Sequence, residues 1–276
     1  MASLLVTGGA GFIGVNFVRY WLDRHGDDRI VVLDALTYAG NRRSLSDVDT
    51  NPNFLFVHGD ICDQKLVQQL LVDERLDTIV HFAAESHVDR SIVGPERFVN
   101  TNILGTYRLL EAAKAVWLDQ DTGIPTHRFH HVSTDEVYGS LKSNQDPCTE
   151  ETQYAPNSPY AASKASSDHL VRAYFRTYGL QTSISNCSNN FGAFQFPEKL
   201  IPLMIINALH GEPLPIYGDG RNVRDWLHVL DHCRAIDLIL QTGVPGETYN
   251  VGGNAERRNI DVVETVCGLL DEAMNS

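Results

Sequence analysis

The run Gly8-Gly9-Ala10-Gly11-Phe12-Ile13-Gly14 lies between a short apolar segment, Leu4-Leu5-Val6, and a helical pattern that continues to about Leu22. Glycine has no Cβ, so three glycines in this spacing allow a tight strand-to-helix turn and a close approach to a pyrophosphate. By itself the pattern is weak evidence, because a purely structural turn uses the same residues. The surrounding sequence must decide between the two.

A second apolar segment supplies that context. Ile30-Val31-Val32-Leu33 ends in Asp34, which follows Gly14 by 20 residues. An acid at the end of the second strand binds the ribose hydroxyls of NAD and repels the 2′-phosphate of NADP. Strand, glycine turn and acid together favour an NAD site. Arg42 and Arg43 come eight residues after Asp34 and leave NADP as an alternative.

Strand-like and helix-like segments continue to alternate along the chain. Further strands are predicted at 54–57, 78–82, 128–133 and 181–186, and helices at 64–74, 95–117 and 160–178. Such alternation produces a parallel sheet covered by helices on both faces. The predicted fold class is therefore α/β, a doubly wound parallel Rossmann-type sheet with a smaller C-terminal substrate-binding lobe.

The sequence changes character after residue 188. Residues 194–225 contain four prolines, and the following segments are predicted as helices at 200–209, 229–242 and 261–274 and as turns at 217–220 and 250–253. We assign residues 1–188 to an NAD-binding Rossmann domain and residues 189–276 to the lobe. The helix at 229–242 is expected to pack back on the first domain.

Composition excludes several classes of protein. The 276 residues are 43% hydrophobic, as in ordinary globular proteins, and the net charge of −13 disfavours binding to nucleic acid or to an anionic membrane surface. Five scattered cysteines without a Cys-x-x-Cys pair indicate free thiols in a reducing compartment. No signal peptide or membrane-spanning run is predicted, so we expect a cytoplasmic protein. The histidines lack ligand spacing, and no metal site is predicted.

Two neighbouring segments carry candidate chemistry: Ser133-Thr-Asp-Glu-Val-Tyr-Gly139 and Tyr160-Ala-Ala-Ser-Lys164. The fifth strand delivers the first to the carboxyl edge of the sheet, where ligands bind. Tyr160 and Lys164 share a helical face, and a nearby ammonium is expected to lower the tyrosine pKa from about 10 toward neutrality. Tyr160 is thus a candidate general base for a hydroxyl. The structural alternatives are a surface Tyr–Lys pair and a capping box from Ser133 to Glu136.

Three cations of the lobe are candidates for binding a phosphate: Lys199, Arg221 and Arg224. Any one of them could equally be a solvated surface charge. Arg224 is favoured, because the turn at 217–220 presents it directly before Asp225-Trp226.

Longer motifs give the chain a family resemblance. They are His81-Phe-Ala-Ala-Glu-Ser-His-Val-Asp-Arg-Ser91, Ser133 to Gly139, Tyr160 to Lys164, Asn189-Asn-Phe-Gly192, Phe196-Pro-Glu-Lys-Leu200 and Arg224-Asp-Trp226. With the glycine turn, they resemble the extended short-chain dehydrogenase/reductase superfamily and, within it, the dTDP-glucose 4,6-dehydratases. The acid pair Asp135-Glu136 separates these from sugar-nucleotide epimerases. The family usually continues beyond Ser276, so the resemblance implies that the lobe is incomplete.

The resemblance implies a lyase that uses NAD, in which the sugar is oxidised at carbon 4, loses water across carbons 5 and 6, and is reduced at carbon 6. Tyr160 would take the proton of the 4-hydroxyl, Lys164 would lower its pKa and bond the nicotinamide ribose, and Thr134 would bond the same hydroxyl. Glu136 would remove the hydrogen on carbon 5. Asp135 would protonate the departing 6-hydroxyl. The family also implies a homodimer.

Binding residues follow from the same resemblance. Those expected at the cofactor are Gly8, Gly11, Phe12, Ile13, Gly14, Asp34, Thr37, Asp60, Ile61, Ala83, Thr101, Tyr160, Lys164 and Asn190. Those expected at the nucleotide sugar are Ser86, Thr134, Asn189, Lys199, Leu200, Tyr217, Arg224 and Asn259. Two other functions stay open at this point: a sugar-nucleotide 4-epimerase, and a non-catalytic NAD-binding protein.

Overall fold

The computed structural model describes residues 2–119, 126–141 and 145–275. Its strands are β1 Ser3–Thr7, β2 Arg29–Asp34, β3 Phe54–His58, β4 Thr78–His81, β5 Arg128–Thr134, β6 Thr182–Cys187, β7 Asn189–Phe191, β8 Val223–His228, β9 Thr248–Val251 and β10 Glu256–Arg258. Seven of them form the main sheet, in the order β3-β2-β1-β4-β5-β6-β9. Every pairing in this sheet is parallel.

Helices connect these strands. They are α1 Phe12–Arg24, α2 Gln64–Asp73, α3 Val88–Val93, α4 Pro95–Phe98, α5 Thr106–Trp117, α6 Pro159–Tyr178, α7 Leu200–His210, α8 Val229–Thr242 and α9 Asn259–Asn275. A π-helical segment, Val99–Gly105, joins α4 to α5, and 3-10 turns cover Arg42–Val48 and Asp135–Tyr138. None of the helices described is both long and apolar enough to cross a membrane.

Both faces of the main sheet are covered, as the alternation of segments predicts. Side chains point to opposite faces at successive strand positions, so Leu5 and Val31 enter one apolar core while Leu4 and Val32 enter the other. The first core is closed by residues of α2, α5 and α6, and the second by residues of α1 and α8. The predicted doubly wound α/β fold is confirmed.

The strand order reverses between β1 and β4, since β2 lies on one side of β1 and β4 on the other. Loops that leave β1 and β4 therefore diverge, and a crevice opens at the carboxyl ends of these strands. This crevice is where parallel α/β sheets bind ligands.

Residues after 188 contribute to the main sheet as well. The predicted turn at 250–253 is wrong in its first half, because Thr248–Val251 forms β9 and pairs with β6 as the seventh strand. The helix α8 packs on α1, and its buried Asp237 accepts a hydrogen bond from the Tyr20 hydroxyl at 2.8 Å. We call the main sheet with α1–α6 and α8 the sheet half. The division at residue 188 stays a prediction about folding units.

A smaller lobe forms beside this edge of the sheet. It consists of a three-stranded sheet, β10-β8-β7, together with α7 and α9, which pack on each other. Neither β7, β8 nor β10 is predicted from the sequence, because these strands are short and lack an apolar alternation. A single carboxylate joins β8 to the chain that follows β9: Asp225 accepts the backbone N–H groups of Gly253 and Ala255, each at 2.7 Å.

Candidate active site

A cleft of about 330 Å³ opens at the carboxyl ends of β1, β2, β4, β5 and β6. All the residues expected at the cofactor line it: Gly8, Gly11, Phe12, Ile13, Gly14, Asp34, Thr37, Asp60, Ile61, Ala83, Thr101, Tyr160, Lys164 and Asn190. Of the expected substrate residues, Ser86, Thr134, Asn189 and Lys199 line it too. Motifs that are more than 180 residues apart in sequence thus converge on one site.

The glycine turn is fixed by contacts that leave no room for side chains. Gly8 has a φ of +70°, and a Cβ there would lie 2.6 Å from the backbone nitrogen of Ala83. A Cβ on Gly14 would lie 2.3 Å from the Gly8 carbonyl oxygen. The helix α1 begins after Gly11 without a side-chain cap and without an acid in its first turn, as far as the described residues go. Its free N–H groups suit the pyrophosphate of a dinucleotide.

Asp34 is held at the end of β2 by backbone donors. Its Oδ2 accepts from Ala10 at 2.9 Å and its Oδ1 accepts from Leu36 at 2.8 Å. Burial raises the pKa of this carboxyl, and the two hydrogen bonds oppose that shift. Each oxygen keeps a second lone pair for a ribose hydroxyl. Arg42 pairs with Asp49, and neither Arg42 nor Arg43 is among the described residues that line the cleft. The site therefore fits NAD better than NADP.

The acid pair follows β5 directly. The hydroxyl of Thr134 accepts the N–H of Glu136 at 3.3 Å, so Thr134 caps the 3-10 turn Asp135–Tyr138. The predicted alternative, a capping box from Ser133, is wrong, because the cap lies one residue later. Glu136 is exposed to the cleft and lines it, whereas Asp135 is half-buried and is not among the described lining residues.

Neighbouring charges act differently on the pKa values of the two carboxyl groups. Burial, followed by the charge of Glu136, raises the pKa of Asp135 to about 6. Burial also raises the pKa of Glu136, but the charges of Arg224 and then Lys199 oppose this shift. Two neighbouring carboxyl groups of raised pKa can supply an acid and a base at one site. Asp135 is raised further by the charge of Glu136, whereas two cations oppose the rise at Glu136.

Tyr160 and Lys164 are both on α6. The helix begins at Ser158, whose hydroxyl accepts from Ala161 N–H at 3.1 Å, and it ends at Gly179 in the left-handed conformation. Tyr160 and Lys164 are 9% and 4% exposed. The Lys164 ammonium donates to the carbonyl of Val132 at 2.8 Å, and burial lowers its pKa to about 8. Lys164 therefore stays mostly charged at neutral pH.

The expected lowering of the tyrosine pKa is not observed. Burial, and then the charge of Glu136, raise the pKa of Tyr160 well above its ordinary value, and a hydrogen bond with Thr134 opposes this. The spacing between Tyr160 and Lys164 carries no information about burial or about the acid pair. In the structure the ammonium hydrogen-bonds a backbone carbonyl of β5, while the phenol faces two carboxyl groups.

Four expected substrate residues lie outside the described lining of the cleft: Leu200, Tyr217, Arg224 and Asn259. Tyr217 is 74% exposed and donates to Asp89 at 3.2 Å. Asn259 begins α9, where its buried Oδ1 has no partner among the described residues. Arg224 is close enough for its charge to lower the pKa of both Asp135 and Glu136.

One set of contacts beside the cleft is not indicated by the sequence. The Arg90 guanidinium lies 3.9 Å from the Tyr38 ring centre and donates to Glu198 at 2.8 Å. The rings of Tyr38 and Phe196 meet edge to face at 5.7 Å. We call Tyr38, Arg90, Phe196 and Glu198 the Arg90 clasp. It joins the loop after β2, the helix α3 and the segment before α7. Arg90 and Glu198 both occur in the family motifs, and this is the sequence feature from which their role could have been suspected.

Potential metal-ligating side chains are scattered in the part of the chain that the structure describes. Among the residues described, no cluster of three or more His, Cys, Asp or Glu side chains could hold a metal ion. All five cysteines are free thiols, and Cys187 and Cys233 are buried.

The fold and the cleft define an NAD-dependent α/β enzyme of the short-chain dehydrogenase/reductase class, with a Tyr-x-x-x-Lys pair beside the dinucleotide site. The sequence profile of the family described as GDP-mannose 4,6 dehydratase matches residues 5–275. The chain belongs to this family.

Individual relatives narrow the comparison. A dTDP-glucose 4,6-dehydratase of Xanthomonas campestris is 59% identical over 273 residues, which span 99% of this chain and 77% of the relative. A crystal structure of the Streptomyces venezuelae dTDP-glucose 4,6-dehydratase, with NAD and TYD bound, is 51% identical, with a TM-score of 0.90 over 98% of this chain and 81% of that chain. The resemblance to these dehydratases that the motifs indicate is confirmed.

Epimerases share the architecture. The crystal structure of a UDP-glucose 4-epimerase from Thermotoga maritima, with UDP-glucose, is 29% identical, with a TM-score of 0.84 over 96% of this chain and 81% of that chain. The fold alone therefore does not separate dehydration from epimerisation. The side chains at the end of β5 must do so.

Proposed function

We propose that this chain catalyses the NAD-dependent dehydration of dTDP-glucose to dTDP-4-keto-6-deoxyglucose. The observation that carries the proposal is the pair Asp135 and Glu136, two carboxyl groups close enough to Tyr160 for both to act on its pKa, at the dinucleotide cleft. An oxidation needs one base, whereas elimination of water needs a further acid and base. Relatives that carry the name dTDP-glucose 4,6-dehydratase, at 56% and 59% identity, support the same reaction.

The cofactor would be held by the glycine turn, Asp34 and Lys164. When bound, NAD would supply the hydride acceptor for carbon 4 of the sugar and the hydride donor for carbon 6, with no net change in its oxidation state. The turn supplies N–H groups to the pyrophosphate, and Asp34 selects for an unphosphorylated ribose.

Tyr160 removes the proton of the sugar's 4-hydroxyl. Since burial and Glu136 raise the Tyr160 pKa, the phenolate needs a compensating positive charge. Lys164, one helical turn away and mostly charged at neutral pH, is the cation that the chain itself supplies. Thr134 donates a hydrogen bond to the oxygen of the sugar's 4-hydroxyl and holds it in position during the proton transfer.

Elimination uses the acid pair. The 4-ketone acidifies the hydrogen on carbon 5, and the Glu136 carboxylate removes it. Asp135 gives its proton to the 6-hydroxyl, which departs as water. Glu136 then returns its proton to carbon 5, and the proton taken by Tyr160 replaces the one that Asp135 lost. Arg224 and Lys199 bring positive charge to this end of the cleft, where a diphosphate would bind.

Isotope exchange tests the roles of the pair. Glu136→Gln should still reduce NAD transiently but should stop hydrogen exchange at carbon 5 in heavy water, because an amide cannot act as the base. Asp135→Asn should retain exchange and lose water slowly. Exchange at the parental rate in Glu136→Gln would assign the base to another residue.

A 4-epimerase is the second candidate, because the epimerase fold superposes closely. Incubation with dTDP-glucose and mass spectrometry of the product separate the two. Loss of one water supports the dehydratase, whereas an unchanged mass with a galactose product excludes it. Tight NAD binding without turnover of any glucose nucleotide would instead indicate a non-catalytic NAD-binding protein.

The proposal extends to assembly and location. We propose a cytoplasmic homodimer, in line with the free thiols and the family resemblance. Sedimentation equilibrium tests the dimer, and a monomer at micromolar concentration would exclude it. The thymine base is also part of the proposal, and a panel of glucose nucleotides assayed for the 4-keto product tests it.

A further inference from the structure

A buried polar cluster lies behind Lys164, away from the cleft. The helix α6 carries Tyr160, Lys164 and Asp168 at intervals of four residues, and side chains in this spacing share a helical face. Asp168 is fully buried, and it is not among the described residues that line the cleft. A buried carboxyl group is unusual unless it is paired, so its surroundings require an account.

His131 of β5 lies between the lysine and this carboxyl group. Its Nε2 is 3.4 Å from the Lys164 ammonium and 3.3 Å from Asp168 Oδ1. The other oxygen, Oδ2, accepts from the Tyr154 hydroxyl at 2.9 Å, and Arg172 donates to that hydroxyl at 2.8 Å. Oδ1 has no hydrogen bond of standard geometry among the described residues, and the His131 ring nitrogen lies beside it. The charge of Lys164 and the Ser133 hydroxyl both lower the pKa of this carboxyl group.

The other groups around Lys164 do not supply a counter-charge. His81 of β4 and His131 of β5 are neutral, because burial lowers the pKa of both well below the ordinary value. The thiol of Cys187 on β6 is neutral too, since burial raises its pKa to about 12. On α6, Asp168 raises the Lys164 pKa against the effect of burial. Asp168 itself is faced by Lys164, Ser133, Tyr154, Arg172 and His131.

We propose that Asp168 is a positioning residue whose carboxylate, acting across His131, keeps the buried Lys164 ammonium charged and in place on the Val132 carbonyl. A buried ammonium without a nearby anion becomes a neutral amine. Lys164 would then lose the charge with which it favours the Tyr160 phenolate. The expected effect on turnover rests on the proposed function. The expected effect on the Tyr160 titration does not.

The first test needs no sugar substrate. The absorbance of the NAD-loaded full chain and of its Tyr160→Phe variant is measured across pH. The difference between the two curves is the phenolate absorbance of Tyr160. The same difference, measured in an Asp168→Asn background, should shift to higher pH by about one unit or more, which is at least about tenfold less phenolate at a given pH below the midpoint. An unchanged titration in the folded Asp168→Asn protein overturns the proposal.

Asp237→Asn is the matched control. Asp237 is also a buried carboxyl group that bonds a tyrosine, but it lies on α8 beside Tyr20 and His25. The Asp237→Asn variant should leave the Tyr160 titration unchanged. The conservative variant Asp168→Glu should bring the Tyr160 titration most of the way back to the parental curve. An equal shift of the Tyr160 titration in Asp237→Asn would mean that general destabilisation causes the shift, and it would overturn the proposal.

A second variant covers the case in which Asp168→Asn does not fold. Tyr154→Phe leaves the carboxyl group in place but removes a hydrogen bond that lowers the Asp168 pKa. Asp168 then protonates at higher pH, so the acid limb of turnover should move to higher pH. An unmoved acid limb contradicts the proposal. If the titration shifts as expected but no variant, the parent included, converts dTDP-glucose, the proposed function fails and the role of Asp168 stands.

Discussion

The two halves of the molecule fix their residues by different physical means. In the sheet half, β2 is buried at five of its six positions, and α6 buries both Tyr160 and Lys164. In the lobe, β10 is exposed at all three positions and α9 buries one described side chain, Val263. Packing therefore determines where the catalytic side chains lie, whereas a few polar contacts, such as those of Asp225, determine where the lobe residues lie.

This difference has a functional consequence. Proton transfer requires reacting groups placed to within a fraction of an ångström, which a packed helix provides. A nucleotide needs charged groups that can adjust around it, which an exposed lobe provides. Changes in the sheet half should therefore reduce rate or fold, and changes in the lobe should reduce substrate affinity.

The largest effect is expected for Tyr160→Phe. Removing the hydroxyl deletes the base for the 4-hydroxyl, and general base catalysis contributes about 10²–10⁴-fold. Turnover measured by 4-keto sugar formation should fall by that factor, while NAD binding by calorimetry changes little. A lobe variant with an equal loss of kcat would contradict the assignment of rate to the sheet half and of substrate affinity to the lobe.

Gly14→Ala should come next. The new Cβ would lie 2.3 Å from the Gly8 carbonyl oxygen and 2.7 Å from Gly9 Cα, and neither backbone atom can move without opening the turn. We expect the free energy of unfolding to fall by ~3 kcal/mol, as in overpacked cores, together with a loss of NAD affinity. Urea unfolding with and without NAD measures both, and parental values would contradict the geometry.

Asp225→Asn probes the lobe. The amide keeps one acceptor but loses the charge that holds both Gly253 N–H and Ala255 N–H. A hydrogen bond to a charged group contributes about 1.5–3 kcal/mol, so dTDP should bind about tenfold or more weakly. NAD affinity should stay at the parental value. Equal loss of both affinities would show that the two halves do not respond separately.

A smaller effect links the halves through charge. In the proposed mechanism Asp135 is the acid, so turnover should decline as the pH rises through its pKa of about 6. Arg224 lowers this pKa from the lobe, and Arg224→Gln should raise it and move the basic limb of kcat to higher pH. The pH dependence of kcat at saturating sugar nucleotide measures the shift. A basic limb that moves to lower pH would contradict the assignment of Asp135 as the acid.

The smallest effect is expected for Gly268→Ala. Like Gly14, this glycine is in a helix, but a Cβ there would meet nothing within 4 Å. Alanine is favoured over glycine in helix interiors by about 0.5–1 kcal/mol, so the variant should unfold at slightly higher temperature. Its activity should be parental, which makes it the control for Gly14→Ala. Destabilisation would show that α9 is packed more tightly than described.

Sequence patterns predicted what packing determines. The strands around Val6, Leu33 and Phe129 follow from apolar runs, and the acid at Asp34 follows from its distance to the glycine turn. These features repeat with a fixed period or spacing, so they can be read from one chain.

Contacts between distant segments could not be predicted in this way. Strand β9 has only four residues, too few for a reliable pattern, and it is a strand because it pairs with the edge of β6. The pKa of Tyr160 follows from its burial and from the charge of Glu136, and spacing along a helix indicates neither. It also does not say that Lys164 bonds the carbonyl of Val132. The Arg90 clasp joins a loop, the helix α3 and the segment before α7, and no local pattern indicates that these three meet.

The Arg90 clasp also bears on how such an enzyme responds to the cell. A cofactor that ends each turnover in the oxidation state in which it began has no need to exchange with the surrounding pool. Because the clasp ties the loop after β2 to the segment before α7, it restrains two walls of the cleft against each other. We expect one NAD molecule to remain bound over many turnovers. The rate of sugar processing would then be insensitive to the ratio of oxidised to reduced cofactor outside the protein.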